Sequence, residues 1–181
     1  MLNGPRLRLR PVVAGDAAGF AALNANAVVM RHFPAPLSRA ESDAALERAL
    51  AHQAEHGFGL RVAEAHDGRL LGFCGLAWVR FAARFTPAVE IAWRFLPEHW
   101  SRGLAEEAAR LTLAHGLGPL GLAEVVAFTT PGNQASWRLM QRLGMRADGG
   151  FDHPALPPGH ALRWHALYRL SRAEWVAQRL G

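Results

Sequence analysis

Three groups of side chains in this sequence could carry out acid–base chemistry. Glu90 lies within an apolar run, where a carboxylate is costly to bury unless it is paired or faces a cleft. Ser136 lies in a helix-forming stretch, and Asp152, His153 and His165 lie near the end of the chain. Carboxylates and imidazoles accept protons when their surroundings tune the pKa, and a hydroxyl can donate one. These residue types suit general acid–base catalysis.

The sequence also contains a glycine turn that could bind an anion. Residues 89–95 are rich in β-branched and aromatic side chains and predict a buried strand. A turn follows at 101–103, and a helix is predicted from 104 to 116. Gly103 would let the backbone approach a ligand closely, and the unpaired amides at the helix N-terminus favour phosphate. The pattern indicates either a diphosphate-binding turn, aided by the guanidinium of Arg102, or an ordinary strand–turn–helix.

The composition limits the class of protein. The chain has 181 residues, half of them apolar, which is enough for one domain with its own core, so we expect a single domain over residues 1–181. It contains neither a run of eighteen apolar residues nor the pattern of a signal peptide, so we expect no membrane span and no export. The single cysteine, Cys74, excludes an internal disulfide and suits a reducing cytoplasm.

The charged residues limit the partners. All 20 basic positions are arginine and the net charge is +5, which favours anionic ligands. The arginines are scattered along the chain, so nucleic-acid binding is not expected, and the absence of lysine excludes a P-loop. The spacing of His153, His160 and His165 fits no known metal site, so no metal is predicted. No base lies next to Cys74 in the sequence, so we expect a structural cysteine.

Periodicity and capping residues predict the elements that position these groups. Strands are predicted at residues 6–10, 59–64, 70–79, 89–95, 124–129 and 164–170. Helices are predicted to follow caps at Asp16, Ser38, Asn133 and Ser171, and to end near residues 24, 56, 144 and 180. Residues 80–87 and 151–165 are predicted to be loops. This order predicts a mixed α/β sheet with helices on both faces.

Two motifs resemble those of the GNAT N-acetyltransferase superfamily. The first is similar to the acetyl-CoA diphosphate loop, (Gln/Arg)-x-x-Gly-x-(Gly/Ala), and reads Trp100-Ser101-Arg102-Gly103-Leu104-Ala105. The tryptophan at its first position and the preceding run, Glu90-Ile91-Ala92-Trp93, are similar to the ribosomal-protein alanine N-acetyltransferase-like (RimJ/RimL-like) branch. The second motif of that branch is matched by Asn133-Gln134-Ala135-Ser136, then Leu139, Leu143, Gly144 and Met145. The resemblance extends over residues 7–170.

The resemblance implies a fold and an activity. The implied fold is a GNAT-like mixed, mostly antiparallel sheet, splayed between its fourth and fifth strands (89–95 and 124–129), with the pantetheine arm of coenzyme A in the gap. The implied reaction transfers an acetyl group from acetyl-CoA to a primary amine, a protein N-terminus or a small amine, by direct attack in a ternary complex. A non-catalytic coenzyme A-binding module is the alternative, and a nucleotide-phosphate enzyme that uses the Gly103 turn is a third. A cytoplasmic protein that could form a homodimer is expected.

The resemblance also implies which residues form the site. The cofactor-binding residues would be Ile91, Trp93, Arg94, Phe95, Ser101, Arg102, Gly103, Leu104, Ala105, Glu106, Asn133 and Ser136. Glu90 is predicted to be the general base, and Ser136 the acid that protonates the departing thiolate. Asp152, His153, His165 or a water molecule remain open as the base. Glu90 could instead form a structural ion pair, and Ser136 could bond a backbone carbonyl.

Other positions concern the acceptor or depart from the family pattern. The first two helices would form one wall of the acceptor site, with Arg31, His32 and Phe33 as candidates on the substrate side. The alternative is an aromatic side chain that fills the core beside a surface arginine. Met140 stands where many of these enzymes have a tyrosine acid. Glu106 stands where Thr or Ser is frequent, and its charge would oppose an anionic ligand.

Overall fold

A mixed sheet of eight strands occupies the part of the chain that the computed structural model describes, residues 1–178. The strands are β1 (Leu2–Asn3), β2 (Leu7–Pro11), β3 (Leu60–Ala65), β4 (Leu70–Trp78), β5 (Val89–Phe95), β6 (Glu124–Thr129), β7 (Arg146–Asp152) and β8 (Trp164–Ser171). Their order is β1-β2-β3-β4-β5-β6-β8-β7. β5 pairs with β6 in parallel, and the pairs β1–β2, β2–β3, β3–β4, β6–β8 and β7–β8 are antiparallel. The predicted mixed, mostly antiparallel α/β sheet is confirmed.

Five α-helices accompany the strands within residues 1–178. They are α1 (Ala17–Ala25), α2 (Arg39–His56), α3 (Leu104–Leu117), α4 (Gln134–Arg142) and α5 (Arg172–Ala177). As predicted, Ser38 and Ser171 open capping boxes and Asn133 caps α4. Gly57 ends α2 with a left-handed φ of +73°, also as predicted.

The prediction for the residues after α4 is wrong in one respect. Phe151 and Asp152 are predicted to begin a loop, but they are the last two residues of β7. The glycines at 149 and 150 disfavour a strand by propensity. The strand forms because it pairs with β8, with a register shift between Ala147 and Gly150 that accommodates the glycines.

One predicted side-chain cap and one predicted helix end are also wrong. Asp16 precedes α1, but its side chain makes no capping hydrogen bond. Its carboxylate instead accepts the amide of Val13 at 2.8 Å and the guanidinium of Arg10 at 2.7 Å. α3 continues through Gly116 to Leu117, which is buried, because packing outweighs the low helix propensity of glycine. The predicted helix end at residue 180 lies outside the described residues.

The chain forms two compact units. The first comprises Met1–Ala77 and Ala92–Thr112, and the second comprises Trp78–Ile91 and the residues from Leu113 onward. The core of the first unit contains Val12, Phe20, Leu23, Val29, Leu46, Val62 and Phe73, with Trp100 packed against it. The single domain predicted for residues 1–181 stays a prediction.

The second unit has an aromatic core. Phe85, Val126 and Leu167 are buried there, and Phe81, Phe128 and Phe151 are among the side chains that pack on them. In the same unit, β5 and β6 have the register pair Glu90–Val126. Because paired residues of neighbouring strands point to the same face, the carboxylate of Glu90 lies on the face of Val126. The splay of the sheet beyond this pair stays a prediction.

Candidate active site

The turn before α3 has a backbone conformation that suits an anion. Ser101 has a φ of +57° and Gly103 a φ of +74°. Over the described residues, Ser101 is the one non-glycine residue in the left-handed region, which costs about 1–2 kcal/mol. Strain of this kind is concentrated at functional sites. The amide of Glu107 donates to the carbonyl of Gly103 at 3.0 Å, so the amides of Leu104 and Ala105 precede the intrahelical hydrogen bonds.

Contacts from elsewhere in the first unit hold this turn in place. Arg6 donates from its Nη1 to the carbonyl of Arg102 at 2.7 Å. The carboxylate of Glu107 accepts both the backbone amide of Arg6 at 2.8 Å and its Nε at 2.7 Å. Trp100 donates from its indole to the carbonyl of Phe95 at 2.8 Å, which joins the turn to β5. Sequence reasoning missed Arg6 because no local pattern links it to a turn so far along the chain.

The charge of Glu106 is compensated within α3. Its Oε1 accepts Nη2 of Arg110 at 2.9 Å and Nε at 3.1 Å. The two residues are four positions apart, a spacing that places them on the same helix face. The repulsion that Glu106 is predicted to exert on an anion is therefore reduced by its own neighbour.

β5 contributes its backbone and the side chain of Arg94 to the candidate site. Phe95 is buried, and Trp93 and Arg94 are half-buried. Arg94 donates from its Nη1 to the amide oxygen of Asn24, and the amide nitrogen of Asn24 donates to Ser42 Oγ at 2.9 Å. Asn24 and Ser42 are fully buried, so this network fixes the direction of the Arg94 side chain. Sequence reasoning missed both residues, although polar positions on an apolar helix face are a usable signal.

The second unit contains the other predicted site residues, Glu90, Ile91, Asn133 and Ser136. Asn133 uses its side-chain oxygen to accept the amide of Ser136 at 3.3 Å. Its side-chain nitrogen donates to Thr129 Oγ1 at 2.9 Å, which leaves a second amide proton for a ligand. Asn133 can therefore cap α4 and also bind a ligand, but it can donate to that ligand only with its second amide proton.

Two buried polar atoms near α4 were not predicted. The hydroxyl of Thr130, directly after β6, and the indole nitrogen of Trp137 are buried and have no hydrogen-bond partner within residues 1–178. Unsatisfied buried groups are rare and often mark a place where a ligand or water binds. Met140, on the same helix, is buried and carries no acidic proton, so it cannot replace a tyrosine acid.

The late histidines form a ring cluster in the second unit. The rings of His153 and His165 are 5.2 Å apart, and both contact Phe128 and Phe151. Nδ1 of His165 donates to the carbonyl of Arg163 at 3.1 Å, which leaves Nε2 as its proton acceptor. Burial lowers the pKa of both imidazoles, and the neighbouring imidazole lowers the pKa of His153 further.

Asp152, the carboxylate rival for the base, is engaged elsewhere. It pairs with Nε of Arg163 at 3.1 Å, and its side chain is 57% exposed. To take a proton from an amine, this carboxylate would have to give up its contact with the guanidinium of Arg163. His165 is therefore the better-placed rival to Glu90 among the late residues.

The histidine cluster predicts how stability depends on pH. The pKa of His165 lies below its ordinary 6.5 in the folded protein, so the unfolded chain binds more protons between these two values. We expect the free energy of unfolding to fall as the pH decreases below about 6.5. Urea denaturation at about pH 7.5 and about pH 5.5 measures this change. In His165→Phe the decrease should be smaller, and an equal decrease would contradict the assignment.

Cys74 is a structural residue, as predicted. It is fully buried on β4, and burial raises the pKa of its thiol to about 12. The hydroxyl of Thr112 donates to the carbonyl of Ala108 at 2.8 Å, so the thiol of Cys74 donates to Thr112 Oγ1 at 3.4 Å.

We expect Cys74 to be unreactive in the folded protein. At about pH 8 a thiol reagent should label it only after denaturation, because the thiolate is the reactive form. Cys74→Ala should retain the activity of the parent protein. Rapid labelling of the folded protein, or loss of activity in the folded variant, would contradict this prediction.

Two other kinds of site have no candidate among the described residues. Within residues 1–178, no three His, Cys, Asp or Glu side chains come together as they would around a metal ion. No helix in that range has the length and apolar character needed to span a membrane.

Comparison with known proteins identifies the family. A family model described as the acetyltransferase (GNAT) domain matches residues 6–146. The uncharacterized protein YkkB of Bacillus subtilis is 34% identical over 94 residues, which cover 50% of this chain and 54% of YkkB. The chain therefore spans about half the length of that relative. The uncharacterized N-acetyltransferase YoaA of the same organism is 27% identical over 157 residues, which cover 82% of this chain and 84% of YoaA.

A solved structure shares the fold over nearly the whole chain. Spermidine N-acetyltransferase from Vibrio cholerae, in complex with CoA and spermine, superimposes with a TM-score of 0.77 at 20% identity. The superposition covers 96% of this chain and 99% of that one. The family match spans most of the residues described above, from the Arg6 anchor through the turn at Gly103 to α4. The chain therefore belongs to the GNAT acetyltransferase domain family.

Proposed function

We propose that this protein is an acetyl-CoA-dependent N-acetyltransferase. The observation that carries the proposal is the turn at residues 101–103, in which Ser101 and Gly103 are left-handed and Arg6 anchors the carbonyl of Arg102. A rigid turn of this kind before a helix N-terminus suits a diphosphate, which coenzyme A contains. Membership of the GNAT family supports the same cofactor.

We assign the cofactor contacts within each unit separately. In the first unit, the backbone of Trp93, Arg94 and Phe95 would align the pantetheine arm, and residues 101–106 would bind the diphosphate. In the second unit, an amide near Ile91 would face the thioester oxygen, and the remaining amide proton of Asn133 and the hydroxyl of Thr130 would bond the arm. The buried, unsatisfied hydroxyl of Thr130 supports this role.

The proposed reaction needs positioning and two proton transfers. The amine nitrogen attacks the thioester carbon, a C–N bond forms, and the C–S bond breaks as the tetrahedral intermediate collapses. The carboxylate of Glu90 takes the amine proton, directly or through water, and the hydroxyl of Ser136 donates a proton to the departing thiolate. Holding the two substrates together can lower the barrier by about 7–11 kcal/mol, so no covalent nucleophile is required.

The finer assignments rest on sequence motifs. Trp100 and the motif at 133–145 support the RimJ/RimL-like branch, in which the acceptor would be a protein N-terminal amine, and a small amine is the other acceptor class. We also propose a cytoplasmic protein that forms a homodimer. Sedimentation of the purified protein would test the assembly.

An acceptor screen with detection of thiol release tests the proposed function. Calorimetry with acetyl-CoA should first show binding, and ATP should bind more weakly. Amine-dependent release of coenzyme A would then support catalysis. Tight acetyl-CoA binding without release for any amine would favour a non-catalytic coenzyme A-binding module, and tighter binding of ATP would favour a nucleotide-phosphate enzyme.

A further inference from the structure

Six aromatic rings in the second unit form one group, which we call the six-ring cluster. The rings belong to Phe81, Phe85, Phe128, Phe151, His153 and His165. The centroids of contacting rings lie between 4.6 and 6.4 Å apart. Phe85 is buried, whereas the other five rings are only half-buried. A closed core would bury all six, and a contiguous apolar surface of this kind often marks a binding site.

The six-ring cluster lies on the sheet face that carries Glu90. Glu90 pairs in register with Val126, and Val126 packs with the phenylalanines of the cluster. Side chains two residues apart on a strand share a face, so Phe128 lies on this face about 7 Å beyond Val126. Phe128 pairs with Leu167, and His165 is two residues from Leu167, so the imidazole shares this face. The proposed base and the six-ring cluster are therefore neighbours on one face.

The two imidazoles of the cluster are neutral and held in place by the backbone. Nδ1 of His165 donates to the carbonyl of Arg163 at 3.1 Å, and Nδ1 of His153 accepts the amide of Ala155 at 3.3 Å. Burial lowers the pKa of both imidazoles, so neither carries a charge near physiological pH. The cluster therefore presents neutral rings of fixed orientation.

An ion pair holds the loop that contributes two of the phenylalanines. Residues 80–87 carry Phe81 and Phe85, and Arg84 on this loop donates from its Nη1 to the carboxylate of Asp148 on β7 at 3.2 Å. The rings are thereby placed against the sheet before a ligand arrives. A ligand that stacks on them would not have to order them first, which favours affinity.

An aromatic substituent on the acceptor would suit this arrangement. The acceptor nitrogen must approach the carboxylate of Glu90 to lose its proton, so the group that carries the nitrogen lies along the neighbouring rings. Aromatic rings attract one another in edge-to-face and offset-stacked contacts, as Phe151 already does with Phe85 and Phe128. The distal ammonium groups of a polyamine would lose hydration there, because the cluster contains no carboxylate to pair with them.

We infer that the six-ring cluster binds the substituent of the acceptor, and that the acceptor is a small primary amine that carries an aromatic ring. The inference rests on the proposed N-acetyltransferase function and specifies its substrate class. A protein N-terminus fits less well, because the peptide groups that follow it would lie against rings that offer them few hydrogen-bond partners. The Vibrio cholerae neighbour, whose complex contains spermine, shares the fold but binds a polycationic amine.

The test compares phenethylamine with ethylamine, which differ in the aromatic ring alone. At equal concentrations of free amine, we expect kcat/KM to be about ten- to a hundredfold higher for phenethylamine, the range that burial of an aromatic side chain contributes. Equal or better turnover of ethylamine or of spermidine would overturn the inference. Better turnover of a peptide that begins with phenylalanine would assign the site to protein N-termini and would also overturn it.

Variants assign the preference to the six-ring cluster. In Phe128→Leu and in Phe151→Leu we expect the phenethylamine-to-ethylamine ratio to fall about two- to tenfold, the range of one aromatic pair. Phe58→Leu is the matched control, because Phe58 also contacts two imidazoles, those of His52 and His56, but lies in the first unit.

The ratio compares two substrates of the same preparation, so it does not depend on how much of a variant is folded. A ratio that stays unchanged in both cluster variants, or that falls equally in Phe58→Leu, would overturn the assignment.

A binding measurement separates this inference from the proposed function. Calorimetric titration of phenethylamine into the complex with coenzyme A needs no turnover, and it should show binding about tenfold or more tighter than that of ethylamine. Absence of coenzyme A binding would refute the proposed function itself. Coenzyme A binding and acetyl transfer to other amines, without binding of phenethylamine, would overturn this inference alone.

Discussion

Replacing Gly103 with alanine should weaken acetyl-CoA binding about tenfold or more. A tenfold change corresponds to a loss of about 1.4 kcal/mol of binding free energy. Gly103 has a φ of +74°, where a side chain costs about 1–2 kcal/mol. A Cβ atom there would also lie 3.3 Å from Nη2 of Arg6, the side chain that holds the turn. The turn would relax, and binding would have to restore it. Calorimetry with acetyl-CoA measures the loss.

Gly57→Ala is a matched control for this variant. Gly57 ends α2 with a nearly identical φ of +73°, and a Cβ atom there would meet nothing within 4 Å. Both substitutions should lower the free energy of unfolding by about 1–2 kcal/mol, whereas only Gly103→Ala should change the affinity for acetyl-CoA. If the two variants bind the cofactor equally well, the turn does not bind the diphosphate and the proposed function loses its main support.

Replacing Glu90 with glutamine should lower kcat by about a hundred- to a thousandfold, within the range that general-base catalysis contributes. Glutamine keeps the shape of the side chain but cannot accept a proton, so the affinity for acetyl-CoA should stay unchanged. Raising the pH should restore part of the activity, because a larger fraction of the acceptor amine is then already deprotonated. Single-turnover rates at several pH values measure both effects.

Comparison variants decide among the candidate bases. Glu47→Gln removes an exposed carboxylate from α2 and should leave kcat unchanged. Ser136→Ala should lower kcat without a comparable rescue at high pH, since its proposed role is to donate a proton to the thiolate. If Glu90→Gln and the double variant with Ser136→Ala both keep full activity, the catalytic assignment is wrong. Loss of activity in His165→Phe alone would then point to the imidazole.

Local sequence patterns predicted most of the helices and strands, because the interactions that form these elements lie within a few residues of one another. The capping boxes at Ser38 and Ser171 and the left-handed stop at Gly57 formed as expected, because each involves hydrogen bonds or backbone preferences within a few residues. β7 was not predicted, since its glycines disfavour a strand and only pairing with β8 stabilises it. The failed cap at Asp16 has a similar cause: Arg10, on β2, competes for the carboxylate.

The residues of the candidate site also separate into those that local sequence patterns predicted and those that they did not. The Gly103 turn, Asn133 and Ser136 were proposed as site residues from motifs, because backbone requirements at a ligand leave a short sequence pattern. Arg6, Asn24 and Thr130 were not found, because their roles depend on contacts with residues distant in the sequence or on burial.

The sequence alone determined the family, the strand–turn–helix at Gly103 and the burial of Cys74, since spacing, propensity and apolar context are properties of the linear chain. Only the tertiary structure decided that Ser101 is left-handed, that Arg6 anchors the turn and that Arg110 compensates Glu106. It also decided that Arg31 and Arg94 stack on aromatic rings. The physical reason is that the conformation of a turn and the direction of a charged side chain depend on partners that folding brings together from distant parts of the chain.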